Sequence, residues 1–189
     1  MSISGKAIVL TNGLFDTKSA KTAHGLIRAS RRFCVVAVID KKFAGQFVLL
    51  DENGKISLAR SSKGIPVYKD VRSFVDSSLQ ANFCVIGVAS AGGALPNEMR
   101  PDIVESMNSG LSIINGLHSM LNEDPELRSL SKKNNVQIHD IRKIRPREEL
   151  SFWSGKISEV KSTKIVVMGT DCGLGKRTTA KMVVDALNK

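Results

Sequence analysis

The sequence has few cysteines, few aromatic residues and no long apolar run. Its three cysteines, Cys34, Cys84 and Cys172, are odd in number and widely spaced, which argues against a disulfide framework and indicates a reducing compartment. No segment approaches the roughly 18 apolar residues of a membrane-spanning helix, and the apolar run in residues 1–11 is too short for a signal peptide. The sequence therefore predicts a cytoplasmic protein with no membrane partner.

The scarcity of aromatic residues also bears on nucleic-acid binding. One Trp and one Tyr, within an aromatic content of 5%, leave little for stacking on bases. The net charge of +10 could still indicate a nucleic-acid partner, so its distribution matters. Residues 128–189 hold 14 basic and 6 acidic residues, so most of the excess lies in the last third of the chain, beside a glycine-rich loop. Small anionic ligands explain this charge more simply, and we expect no nucleic-acid partner.

The glycine-rich loop lies between a strand-like run and a helix-like run. Ile165 to Met168 has the composition of a buried parallel strand, and apolar residues recur at helical spacing after Lys176. Strand, glycine-rich loop and helix in this order are the context of a phosphate-binding loop, in which backbone N–H groups and a lysine bind the anion. The predicted phosphate- or nucleotide-binding residues are Gly169, Thr170, Asp171, Gly173, Gly175, Lys176, Arg177, Thr178 and Thr179.

The loop departs from the common pattern in two places. Gly169 and Gly175 enclose five residues where the pattern has about four, and Arg177 follows the lysine where Ser or Thr is expected. The five-residue spacing resembles the loop of dethiobiotin-synthetase-like enzymes. Thr178 is a candidate Mg²⁺ ligand, with Thr179 as the alternative. A strand-to-helix turn that binds nothing is the competing interpretation.

Residues 1–40 read as strand, helix, strand, which predicts a Rossmann-like parallel sheet. Asp40 ends the second predicted strand, where a carboxylate could bind a ribose, but Gly13 lacks the glycine spacing of a dinucleotide fingerprint, so we do not predict NAD. Further along, the predicted strand over residues 83–89 runs into two glycines at the edge where open α/β sheets bind ligands. The residues of a predicted second ligand site are Gly13, Lys21, Thr22, Asp40, Gly92 and Gly93. The alternative interpretation is that Lys21 and Thr22 are solvated residues of a helix start and that the two glycines only let the chain turn into the next helix.

Two histidines are candidate acids or bases, although the catalytic residues stay unknown. His118 follows a predicted strand over residues 111–116, on the ligand side of the sheet. His24 lies within the first predicted helix, where a packed or exposed histidine is the alternative interpretation. Neither has a partner that the sequence identifies, and a catalytic role depends on geometry.

The chain divides into a Rossmann-like domain over residues 1–145, a connector over 146–162 and an incomplete P-loop domain over 163–189. The fold class is therefore α/β, with a parallel-sheet domain followed by the first strand, loop and helix of a P-loop domain. One strand and one helix cannot bury a sheet, so we expect the chain to be the N-terminal portion of a longer protein or a split product. We also expect a homo-oligomer or a complementing C-terminal fragment as partner.

Three segments together resemble one family, the DgcN-type proteins of D-amino-acid catabolism. They are residues 21–28, residues 38–40 and residues 169–179, and the last is the most specific because Arg177 suits this family. The resemblance implies a Rossmann-like domain joined to a P-loop domain. It also implies an N-acetyltransferase that acts on D-glutamate or a related amino acid, with acetyl-CoA as the donor.

Two other functions stay open. A ligase or phosphotransferase similar to dethiobiotin synthetase would use ATP, with Mg²⁺, at the same loop. A non-catalytic nucleotide-binding module would bind its ligand without turnover.

Overall fold

A computed structural model describes residues 3–60, 63–144, 147–171 and 174–188 of the chain. Contacts between Cα atoms divide it into two compact units, residues 1–144 and residues 145–189. Within the described ranges, no helix is both long enough and apolar enough to cross a bilayer.

The first unit is built on an eight-stranded, mostly parallel sheet. In chain order the strands are β1 (Gly5–Leu10), β2 (Phe33–Ile39), β3 (Phe47–Leu50), β4 (Ile56–Ala59), β5 (Ile65–Tyr68), β6 (Phe83–Ile86), β7 (Ser112–Asn115) and β8 (Ile138–Asp140). Their order across the sheet is β4-β3-β5-β2-β1-β6-β7-β8. Six neighbouring strands run parallel to one another, in the spatial order β5, β2, β1, β6, β7 and β8. This arrangement confirms the predicted α/β sheet.

A hairpin at one edge of the sheet supplies the antiparallel strands. β3 pairs with β4 and also with β5, and both pairs are antiparallel. Asp51 begins the turn and accepts hydrogen bonds from the N–H groups of Asn53 and Lys55, at 2.9 and 2.7 Å. Gly54 completes the turn with φ +74°, a conformation that glycine adopts without strain. The hairpin therefore extends one edge of the parallel sheet with antiparallel strands.

Helices cover the two faces of this sheet unequally. Alternate residues of β1 point to opposite faces, so Ile8 and Leu10 join one core and Val9 joins another. Three helices pack on the Ile8 face, and one helix with the hairpin packs on the Val9 face. The helices of this unit are α1 (Lys21–Ala29), α2 (Val71–Val75), α3 (Arg100–Asn108) and α4 (Pro125–Lys133).

Gly87, directly after β6, lets α1 lie close to the centre of the sheet. A Cβ added at Gly87 would lie 2.4 Å from Cγ1 of Val9 and 3.0 Å from Cβ of Ala23. The carbonyl of Gly87 accepts a hydrogen bond from Ala23 N at 2.9 Å, and Ala89 N donates to the carbonyl of Ser19 at 2.8 Å. The start of α1 is therefore fixed against the carboxyl end of β6.

The second unit contains α5 (Lys176–Leu187), as the sequence predicts. The strand predicted over residues 165–168 is not formed in the structure, because this segment pairs with no strand among the described residues. Ile165, Val166 and Met168 are 63%, 75% and 83% exposed. A β-strand is stabilised by hydrogen bonds to a neighbouring strand, and the strand pairing within the described ranges lies in the first unit.

Candidate functional site

The glycine-rich loop of the second unit leads directly into α5. Gly175 is the N-cap, with φ +84°, and its carbonyl accepts a hydrogen bond from Thr179 N at 2.9 Å. Because glycine has no side chain, nothing of this residue occupies the N–H groups of the first turn. α5 also has no acidic residue in its first turn. The start of α5 thus offers backbone donors and the positive end of the helix dipole to an anion.

Lys176 lies over the loop that precedes it. Its Nζ donates a hydrogen bond to the backbone carbonyl of Asp171. A Cβ added at Gly169 would lie 3.2 Å from both Cγ and Cδ of Lys176, so the glycine leaves room for the lysine stem. The structure thereby brings Gly169, Asp171 and Lys176 together, and the ammonium group lies against the loop that leads into α5.

The other predicted loop residues include the candidate Mg²⁺ ligand Thr178. Thr170, Arg177, Thr178 and Thr179 are exposed. Gly173 lies outside the described residues. Within the described ranges, no group of three or more His, Cys, Asp or Glu could hold a metal ion. A Mg²⁺ ion at the Thr178 hydroxyl would therefore depend on ligand phosphates and water, which are common Mg²⁺ ligands, and it stays a prediction.

Asp40 joins the carboxyl ends of β1 and β2 in the first unit. Its Oδ2 accepts hydrogen bonds from Thr11 Oγ1 at 2.7 Å, Gly13 N at 2.9 Å and Phe15 N at 3.1 Å. Its side chain is fully buried. The structure thus brings the predicted residues Gly13 and Asp40 together, but the carboxylate is bound by the loop after β1, and a ribose would have to displace these bonds.

A similar arrangement, which sequence reasoning missed, lies at the carboxyl ends of β7 and β8. Asp140 Oδ1 accepts hydrogen bonds from Asn115 Nδ2 at 2.7 Å and from Leu121 N at 3.1 Å. Asn115 is fully buried, and its Oδ1 accepts from Leu117 N at 2.9 Å. The available signal was Asn115 directly after an apolar run, the same pattern that marked Asp40.

His118, Gly93 and Arg142 meet just beyond those strands. The carbonyl of Gly93 accepts hydrogen bonds from His118 N at 2.8 Å and Ser119 N at 3.2 Å. Arg142 Nη1 lies 3.3 Å from His118 Nε2, and Arg142 Nε donates to the carbonyl of Gly116 at 2.7 Å. The two predicted residues Gly93 and His118 are thus in contact, whereas Arg142 was not predicted as a site residue.

The remaining predicted residues of the first unit lie apart from this cluster. Lys21 and Thr22 are exposed at the start of α1, and Gly92 is exposed with no atom within 4 Å of an added Cβ. His24 Nε2 lies 2.8 Å from the carbonyl of Phe15, and the two rings meet edge to face with centroids 4.9 Å apart. His24 therefore packs against the loop after β1.

Burial raises the pKa values of two groups in the first unit, Cys84 and Asp102. Burial raises the pKa of the Cys84 thiol to about 12, so this cysteine is protonated at neutral pH and unsuited to nucleophilic attack. Burial also raises the pKa of Asp102, although a hydrogen bond from Val71 N opposes the shift. Val71 N donates to Asp102 Oδ1 at 3.0 Å, and this hydrogen bond joins the start of α2 to α3.

Both parts of the chain match family models. Residues 51–144 match one described as "Domain of unknown function (DUF1611_N) Rossmann-like domain". Residues 151–189 match one described as "Domain of unknown function (DUF1611_C) P-loop domain". These matches confirm the predicted pairing of a Rossmann-like domain with a P-loop domain.

Two curated relatives carry the same name, D-glutamate N-acetyltransferase. The protein from Pseudoalteromonas sp. is 34% identical over 113 residues, which cover 60% of this chain and 33% of the relative. The protein from Tritonibacter scottomollicae is 30% identical over 106 residues, which cover 56% of this chain and 30% of the relative. The matched region thus spans about a third of the length of either relative.

A solved structure extends the similarity over the whole fold. The crystal structure of a DUF1611 family protein from Anabaena variabilis superposes with a TM-score of 0.81 at 28% identity, covering 98% of this chain and 50% of that one. With the matches of residues 51–144 and 151–189 to the two domain models, it shows that the chain belongs to the DUF1611 family.

Proposed function

We propose that this chain is part of an N-acyltransferase that moves an acetyl group from acetyl-CoA to D-glutamate. The observation that carries the proposal is the identity of 34% and 30% with two proteins named D-glutamate N-acetyltransferase. The geometry of the second unit supports it, because the start of α5 and Lys176 suit a phosphate-bearing ligand and CoA carries phosphates.

In this reaction the residues of the phosphate-binding loop hold the donor. The amides at the start of α5 donate to phosphate oxygens, and Lys176 leaves the carbonyl of Asp171 to neutralise their charge. The amine nitrogen of D-glutamate, after losing a proton, attacks the thioester carbonyl carbon. The C–S bond breaks and the CoA thiolate leaves and takes up a proton. The residue that accepts the proton of the amine is not assigned.

A second candidate function is an ATP-dependent ligase or phosphotransferase. The five residues between Gly169 and Gly175 favour it, because this spacing resembles the loop of dethiobiotin-synthetase-like enzymes. Thr178 or Thr179 would then meet the Mg²⁺ ion of Mg-ATP. A module that binds a nucleotide without turnover is the third outcome to be tested.

The proposal predicts that Lys176→Ala weakens binding of acetyl-CoA about tenfold to a hundredfold, the effect of losing a hydrogen bond to a charged group. The measurement is calorimetry of the protein expressed from its natural gene, against acetyl-CoA and against Mg-ATP. Lys181→Ala is the matched control, since Lys181 lies on the same helix but pairs with Asp185. An assay of CoA release with D-glutamate follows for each variant.

Each result identifies one of the three functions. Release of free CoA in the presence of D-glutamate supports the transferase. Binding of Mg-ATP alone, with ADP as product, replaces it with the ligase. Binding without turnover indicates the module, and equal binding by the wild type and Lys176→Ala would show that the loop is only a turn.

A further inference from the structure

We infer that Arg142, held in place by His118 and Gly116, binds a carboxylate of the amino-acid substrate. The inference rests on the proposed function, because it takes the acyl acceptor to be an amino acid. It adds a residue that sequence analysis did not single out and gives His118 a positioning role.

Two contacts hold the guanidinium group of Arg142. Its Nε donates to the carbonyl of Gly116 at 2.7 Å, and its Nη1 lies 3.3 Å from His118 Nε2. A guanidinium group can only donate, so His118 Nε2 is the acceptor wherever this contact is a hydrogen bond. Both bonds restrict a side chain that would otherwise rotate freely at the surface, which lowers the entropy cost of binding a ligand.

The backbone that supports His118 and Arg142 is fixed by close packing and hydrogen bonds. Gly93 has φ +69°, and a Cβ added there would lie 2.0 Å from Cδ2 of His118, so the ring fits against a bare backbone. The chain before Arg142 is fixed as well, because Ile141 N donates to the carbonyl of Asn115 at 2.9 Å. His118 and Arg142 are therefore presented from neighbouring loops whose ends are both hydrogen-bonded.

Part of the Arg142 guanidinium group is left to bind a ligand. Arg142 Nη2 has no hydrogen-bond partner among the residues that the structure describes, and no carboxylate of those residues forms an ion pair with Arg142. Planar guanidinium groups bind carboxylates with paired N–H donors. Arg142 also lies beyond the carboxyl ends of β7 and β8, the edge at which open parallel sheets bind ligands.

The experiment is an NMR titration of the protein expressed from its natural gene, with arginine Nε–H groups observed. Arg142→Gln identifies the Arg142 signal by its loss. Arg128→Gln is the matched control, because Arg128 is an exposed arginine of α4 outside the cluster. The probes are D-glutamate, D-glutamine, which lacks the side-chain carboxylate, and inorganic phosphate.

D-Glutamate is expected to shift the Arg142 signal with saturation, and Arg142→Gln is expected to weaken its binding about tenfold to a hundredfold, while Arg128→Gln changes it less than twofold. A shift by D-glutamine as well assigns the α-carboxylate, and a shift by D-glutamate alone assigns the side-chain carboxylate. Either supports the inference. An equal shift by phosphate, or none by any probe, would overturn it.

The CoA-release assay separates this inference from the proposed function. If D-glutamate is acetylated with the same KM by the wild type and Arg142→Gln, the carboxylate site is wrong while the transferase is correct. If no acetylation occurs but D-glutamate still shifts Arg142, the site is correct and the reaction is another one. His118→Ala should raise KM for D-glutamate by releasing Arg142, with less effect on kcat.

Discussion

Asp40 is the residue that most strongly fixes the loop after β1. Three donors, the hydroxyl of Thr11 and the N–H groups of Gly13 and Phe15, meet its Oδ2, and Lys42 N donates to Oδ1 at 3.0 Å. A buried carboxylate that accepts this many hydrogen bonds fixes the conformation of the loop around it, because each donor would otherwise be left without an acceptor.

We predict that Asp40→Ala lowers the free energy of unfolding by about 2–4 kcal/mol, because it leaves several buried donors unsatisfied. The control is Asp16→Ala in the same loop, which breaks an exposed ion pair with Lys42 and should cost about 1 kcal/mol or less. Urea unfolding followed by circular dichroism measures both values. Equal losses would mean that the Asp40 hydrogen bonds contribute no more than a surface pair.

Single residues were predicted from the sequence where a local pattern marks them. Gly13, Asp40 and His118 each follow a strand, so a local pattern was enough to predict that they lie at the carboxyl edge of the sheet. The contact between His118 and Arg142 joins residues 24 positions apart through the pairing of β7 with β8, and that pairing is a property of the whole sheet. No local pattern could have indicated it.

At the scale of elements, α4 begins with a capping aspartate followed by a proline. Asp124 is its N-cap and accepts hydrogen bonds from Glu126 N at 3.0 Å and Leu127 N at 3.1 Å. Arg100 of α3 donates to both oxygens of Asp124, at 2.7 and 3.1 Å. The cap therefore also joins α4 to α3, and the bond from Arg100 lowers the pKa of Asp124.

We predict that Asp124→Ala destabilises the first unit by about 1 kcal/mol, the usual cost of losing an N-cap. Asp124→Asn keeps a capping oxygen but loses the charge, so it tests the ion pair alone. A lowered carboxyl pKa contributes stability that is present above the ordinary pKa of 3.8 and is lost as the pH falls through the folded value.

The pH series for this prediction compares the wild type with Asp124→Asn. The difference in unfolding free energy should be largest near neutral pH and should shrink below about pH 3.8, as the wild-type carboxylate is protonated. A difference that stays constant through this range would show that Arg100 stabilises the fold without its charge partner.

Helices and hairpins were predictable because their signals are local, as with Asp124 before Pro125 and the turn at Asp51. The predicted strand over residues 165–168 shows the limit of such signals. Its composition is that of a buried strand, yet a strand requires a neighbour, and none pairs with it among the described residues. Composition can predict what a segment would form, but its partners decide whether it forms.

At the scale of the whole molecule, the two units differ in how much apolar surface they bury. In the first unit a core of strand and helix residues is fully or nearly fully buried, including Ile8, Ile86, Ile103 and Ile113. In the second unit the larger apolar residues are exposed, with Trp153 at 84% and Leu187 at 71%. Burial of apolar area is the main source of stability, so the units should differ in stability as well.

We predict that a chain ending at Ile144 folds by itself and unfolds in one cooperative transition. Its sheet, its four helices and its cores all lie within residues 3–144 as described. Tyr68 provides a fluorescence probe, since its ring packs against Phe74 with centroids 5.7 Å apart, and far-UV circular dichroism provides the second probe. Coincident midpoints in urea would support two-state unfolding.

The 189-residue chain supplies the control for this prediction, because its single tryptophan, Trp153, lies in the second unit. The fluorescence anisotropy of Trp153, which reports chain mobility even though the ring is exposed, should change at lower urea than the circular dichroism of the sheet, since the second unit buries less apolar surface. If the shorter chain unfolds gradually, or if its two probes give different midpoints, the first unit depends on residues after Ile144. Coincidence of the Trp153 signal with the unfolding of the sheet would show instead that the two units unfold together.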